Sequence, residues 1–168
     1  MTADKISEDP IYFSCLDEVN IFKIDGRGSM NNVHLFVSMC DEIIKFGKKR
    51  IVVDFGNCIG LDSTFMGSLV EIDDKLHAID GELILIQVSD KVKVVLNLLG
   101  VLEIVKITND LKLPDNLKFE KINNFQITDM ERIKLIHSAH KKLVESNPEN
   151  IVQFGDFLTA LESELNDM

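Results

Sequence analysis

At 168 residues, 45% hydrophobic and 27% charged, the chain has the size and composition of one globular domain, or of one domain with a helical appendage. Acidic side chains outnumber basic ones 28 to 18, and the resulting formal charge of −10 argues against nucleic-acid binding and suits a partner with a basic docking surface. No apolar run is long enough to span a membrane, residues 1–9 lack the regions of a signal peptide, and Cys15, Cys40 and Cys58 are odd in number and widely spaced, so small buried thiols in the cytoplasm are expected.

Residues 11–16 and 19–24 are β-branched and aromatic runs separated by Asp17-Glu18, the pattern of a hairpin. Gly26-Arg27-Gly28 breaks that pattern. From an N-cap at Asn31 or Asn32, apolar residues at Val33, Phe36, Val37, Cys40 and Ile44 predict a helix over 32–46 that stops at Gly47. Residues 51–55 form a buried strand, and a short Gly-containing loop leads to a second helix, 63–79, with Phe65, Leu69, Ile72, Leu76 and Ile79 inward. Residues 83–88 are nearly all apolar, as in a central strand covered on both faces. A third helix, 90–99, is capped by Ser89 or Asp90, and residues 102–107 supply a last strand. Alternating strands and helices, with 51–55 and 83–88 as neighbours, predict an α/β class: a small mixed sheet with packed helices.

Residues 109–124 are polar and irregular and read as a connector. Thr128-Asp129-Met130-Glu131 is a capping-box pattern opening another helix, and Asn147-Pro148 ends it and starts the next. The expected organisation is residues 1–110 as the α/β domain, 111–127 as connector and 128–168 as a C-terminal helical hairpin extension. The hairpin's outer face is acidic, because Glu145, Glu149, Asp156, Glu162, Glu164 and Asp167 are followed or preceded by no Lys or Arg after Lys142. Exposed apolar stripes are unusual on monomers, so the hairpin is expected to pack back on the sheet.

Few clusters carry chemistry. His137 and His140 lie three apart on one helix but lack a third ligand at metal-binding spacing, so no metal is expected. His34 and His77 stand alone, and Asp73-Asp74 face different directions on a solvated helix surface. There is no dinucleotide fingerprint, Walker motif or Gly-x-Ser-x-Gly elbow, and the sequence positions no histidine to deprotonate Ser63. No catalytic residues and no cofactor are expected, and the chain reads as a substrate of enzymes.

The informative stretch is 51–67, where an apolar strand delivers Asp62-Ser63-Thr64 to the first turn of a helix. Unpaired N–H groups and the positive dipole end favour an anionic oxygen there, so a phosphate on Ser63 would be well placed. Asp62 or Ser63 acting only as the helix cap is the plainer alternative. This stretch resembles the phosphoacceptor segment of STAS domains, the bacterial anti-sigma-factor antagonists, whose usual string is Asp-Ser-Ser-Gly-Leu-Gly. Asp62, Ser63 and Gly67 match, Thr64 and Met66 are replacements, and Phe65 stands where the family usually has glycine. The departure would set a bulky ring beside the acceptor hydroxyl. The resemblance covers residues 11–110 by element order and includes Gly26-Arg27 and residues 99–102. It implies that Ser63 is phosphorylated and that Asp62, Ser63, Thr64, Phe65 and Met66 meet the partner. It further implies an anti-sigma-factor serine kinase and a PP2C-type phosphatase as partners, with the unphosphorylated form sequestering the kinase. The rival readings are a STAS scaffold or accessory subunit that is never phosphorylated, an interaction module working through the C-terminal helices, and a small-molecule-binding module.

Overall fold

The predicted hairpin is present as β1 (Ile11–Leu16) and β2 (Val19–Gly28), antiparallel and in register from Ile11 opposite Ile24 to Leu16 opposite Val19. In the computed structural model, which describes residues 8–123 and 126–168, most of the N-terminal stretch read as lacking signal-peptide regions lies outside the described residues, as do Asn124 and Phe125 of the connector. β3 (Arg50–Leu61), β4 (Glu82–Ile86) and β5 (Lys106–Thr108) continue the sheet in parallel from β2. β6 (Glu120–Lys121) pairs antiparallel with β1, giving the order β5-β4-β3-β2-β1-β6. α1 (Val33–Lys45), α2 (Ser63–His77) and α3 (Asp90–Leu98) fall where apolar spacing places them, and α2 links β3 to its parallel neighbour β4. A mixed α/β sheet with packed helices is therefore the architecture.

Period-two alternation divides the strand residues between two cores. On one face Phe22, Val53, Phe55, Leu83 and Leu85 meet Phe36, Phe65, Leu69, Ile72 and Leu76 of the helices. Ring contacts run from Phe13 through Phe22 and Phe36 to Phe65, with centroids 5.3, 5.0 and 5.5 Å apart. On the other face Ile21, Val52, Ile84 and Ile86 are covered by Leu111, Leu113, Leu117 and Phe119. The near-continuous apolar strands are thus explained by burial on both sides, but the second cover is irregular chain. The segment read as a polar connector carries that cover and β6 as well.

Other differences are local. β3 does not end at Phe55 but runs on to Leu61, because Asp25–Gly28 of β2 pairs with Asn57–Leu61 across two register shifts. Gly26 makes this possible at φ 105°, in contact with the Asp9 side chain, which accepts the Arg27 N–H at 3.0 Å. Residues 101–103 form a 3₁₀ turn, which shortens the last parallel strand to three residues. Cys15 is exposed, unlike buried Cys40 and Cys58, and Asp73 is buried, not solvated.

α4 (Asp129–Ser146) opens with the expected capping box between Thr128 and Glu131. Pro148 begins a short 3₁₀ turn, and α5 (Ile151–Asn166) follows. The hairpin packs back within the molecule, but on α2 instead of the sheet. Leu143 and Phe154 enter the main core, and the buried Asn150 amide donates to the carbonyls of Leu99 (3.0 Å) and Leu143 (2.8 Å). Among the described residues, no helix is long and apolar enough to cross a membrane.

Candidate functional site

The end of β3 carries the chain directly into α2, so Asp62 is the N-cap and Ser63 the first helical residue. Asp62 uses both carboxylate oxygens. Oδ1 accepts the N–H of Phe65 at 2.9 Å, and Oδ2 accepts the N–H of Met30, in the loop before α1, at 2.8 Å. The cap therefore also ties two loops together. Ser63 is partly exposed, whereas Thr64, Phe65 and Met66 are buried. Phe65 does not stand beside the acceptor hydroxyl, as the sequence suggests. It is 0% exposed and stacks on Phe36, because the helical step of 100° per residue turns position 65 toward the sheet while 63 faces outward.

The hydroxyl of Ser63 has a partner 77 residues away. His140 Nε2 lies 2.8 Å from Ser63 Oγ, and His140 Nδ1 lies 2.7 Å from the Ile136 carbonyl. A carbonyl only accepts, so Nδ1 carries the ring proton; neutral Nε2 then accepts from the serine hydroxyl. Burial pushes the His140 pKa below the usual histidine value, against the Ile136 carbonyl and Asp62, which favour protonation, while His137 adds to the depression. The rings of Phe154 and Phe157, each nearly perpendicular to the imidazole with its centroid 4.9 Å away, make this environment apolar. His140 falls at helical spacing with the apolar residues Ile136, Leu143 and Val144 in the sequence, and a polar residue on such a face needs a buried partner. Which partner it finds depends on how α4 crosses α2. His137 goes elsewhere, pairing with Glu162 of α5 at 3.1 Å.

The remaining contacts lie along one stripe of α2. Gly67 meets the Ala139 backbone, Glu71 lies close to Ser138 and Lys142, and Asp74 pairs with Lys142. Arg132 Nη1 donates to the Met30 carbonyl at 2.9 Å, beside the Asp62 clamp.

The pH response follows from the neutral histidine. The unfolded chain takes up a proton near pH 6.5, whereas the folded chain holds His140 neutral to lower pH. Stability contributed by this group is present above that value and falls as pH drops toward the folded pKa. Half-buried Glu71 and buried Asp73, whose pKa values burial raises, act in the opposite sense as pH rises through the carboxylate range. The comparison that isolates His140 is denaturation of wild type and His140→Gln at pH 5 to 7.5. The variant is expected to show a shallower loss between pH 6.5 and 5, and parallel curves would contradict the assigned neutral state.

A profile of the STAS domain matches residues 13–113, more than half of the chain. Among solved structures, a Thermotoga maritima protein assigned as an anti-sigma factor antagonist is 28% identical, with a TM-score of 0.53 over 56% of this chain and 82% of that one. The unphosphorylated form of the anti-sigma factor antagonist SpoIIAA is 18% identical, with a TM-score of 0.50 over 60% of this chain and 87% of that one. The phosphorylated form of SpoIIAA, described as a Bacillus cell fate determinant, has the same identity and TM-score over 92% of its length. No curated protein matches significantly. The profile match over more than half of the chain leads to one conclusion: the chain belongs to the STAS domain family.

Proposed function

We propose that this STAS domain is an anti-sigma-factor antagonist acting as a phosphorylation-controlled binding switch. The observation that carries the reading is Ser63 at the first position of α2, directly after the capping Asp62. The similarity to antagonists solved in unphosphorylated and phosphorylated forms supports it. In this reading the unphosphorylated chain binds an anti-sigma-factor serine kinase and so frees a sigma factor for transcription. The kinase supplies ATP, Mg²⁺ and the general base; a PP2C-type phosphatase removes the phosphate. Phosphorylation adds about −1.5 to −2 charge. The helix N-terminus tolerates it, whereas a partner surface shaped around a neutral hydroxyl loses binding. Asp62, Ser63 and the residues that follow form the docking edge, with buried Thr64, Phe65 and Met66 shaping it from beneath.

The test is incubation with the serine kinases of the same genome and Mg-ATP, followed by peptide mass spectrometry. Phosphate is expected on Ser63 and not on Thr64, which is only 3% exposed. Modification of Thr64, or of neither residue, would reject the assignment. One observation favours a second reading, a STAS scaffold or accessory subunit that is never phosphorylated: the Ser63 hydroxyl already has a structural role in its bond to His140.

A further inference from the structure

Ser63, Gly67, Val70, Glu71 and Asp74 recur at helical spacing and form the stripe of α2 that turns away from the sheet. α4 lies along it, from the Ser63–His140 hydrogen bond to the Asp74–Lys142 ion pair. The matched family domain ends at residue 113, whereas α4 begins at Asp129. The face that presents Ser63 is thus occupied by a part of the chain outside the matched segment.

We propose that the α4–α5 hairpin is an intramolecular cover over the Ser63 face, and that it must swing off α2 before a kinase can dock and phosphorylate the hydroxyl. The proposal rests on the reading of Ser63 as phosphoacceptor. In the closed form the hydroxyl proton points at His140 Nε2, and the imidazole is held in turn by the Ile136 carbonyl and by Phe154 and Phe157. Phosphoryl transfer forms an Oγ–P bond, breaks the bond between the γ-phosphorus of ATP and its bridging oxygen, and releases ADP. The serine proton passes to the kinase's base, which needs the position that His140 fills. Burial of Leu143 and Phe154 holds the cover shut. Its polar fastenings, Asn150 to the Leu99 carbonyl, Lys142–Asp74 and Arg132 to the Met30 carbonyl, can break without opening the sheet. The phosphorylation rate then scales with the open fraction.

Gly67 allows the closed and open forms to be separated. A Cβ there would sit 2.6 Å from the carbonyl carbon of Ala139 and 2.9 Å from its Cα, and would collide with its oxygen. Those are backbone atoms that cannot turn aside. Alanine is otherwise the better helix former, so Gly67→Ala penalises the closed form alone. Lys142→Glu is the second variant, setting a carboxylate against Asp74, Glu71 and Glu145 without touching the core.

The accessibility experiment uses the full chain with exposed Cys15 replaced by serine and Ser63→Cys as a reporter, labelled with N-ethylmaleimide and followed by intact mass. Adding Gly67→Ala is expected to speed labelling about tenfold or more, with Lys142→Glu acting in the same direction. Equal labelling in all three proteins overturns the cover. In parallel, the serine kinases of the same genome are assayed with Mg-ATP on chains that retain Ser63. Faster phosphorylation of both variants than of wild type supports the gate; equal rates overturn it while the acceptor reading stands. Faster maleimide labelling with no phosphate on Ser63 in any chain leaves the cover standing and removes the acceptor reading.

Discussion

Phe65→Ala is expected to destabilise the protein by about 3–5 kcal/mol, the cost of removing a large side chain from a packed core. The ring is 0% exposed and closes the chain of aromatic contacts through Phe36 and Phe22. It also packs near Gly28, where a Cβ would meet Phe65 at 3.0 Å, so the cavity would open under the β2–β3 end that positions Asp62. Urea denaturation read by circular dichroism is the measurement, with Phe65→Leu as the control that keeps more of the volume and costs less. A loss below about 1 kcal/mol for the alanine variant would show that the ring is peripheral, as its place beside Ser63 in sequence first suggests. The family's glycine-to-phenylalanine departure is in this structure a core substitution.

Under the proposed switch, Ser63→Asp is expected to weaken binding to the proposed kinase partner by about tenfold or more, through the cost of a charge at a docking edge formed around a neutral hydroxyl. Ser63→Ala is expected to bind at least as tightly as wild type and to hold the partner persistently, because the surface stays neutral and the acceptor is gone. Neither variant is silent in the free protein. Alanine leaves His140 Nε2 without its donor, and stranding a buried polar group costs about 1–3 kcal/mol. Aspartate brings a carboxylate to the same imidazole, favouring its protonated form. Denaturation curves therefore precede isothermal titration of the three proteins. Equal affinities for all three, with the fold intact, would leave Ser63 as a structural partner of His140 and end the switch reading.

The α/β class and the three connecting helices were legible because they rest on local signals. The stripes of Phe65, Leu69, Ile72 and Leu76 and of Val33, Phe36 and Cys40 repeat at helical spacing, and their apolar positions are buried. The Thr128–Glu131 box and Asn147-Pro148 likewise mark helix ends through contacts within a few residues. The extension of β3 to Leu61 was not legible, because Gly56, Asn57 and Gly60 carry loop chemistry and only pairing with β2 makes them a strand. The cover of Leu111, Leu113, Leu117 and Phe119 on the second sheet face has no periodicity to betray it.

At the candidate site the same division holds. The residues themselves determine that Asp62 can cap α2 and that Ser63 opens it, since both follow from neighbours in the chain. The tertiary structure alone decides that Phe65 turns inward, that Gly67 lies under the Ala139 backbone and that the Ser63 hydroxyl belongs to His140. Those contacts depend on the crossing of α4 over α2, with a sequence separation of 77 between the two hydrogen-bonded residues. A pattern of three or four residues records which face of a helix is apolar; it holds no information about which distant helix will lie against the other face.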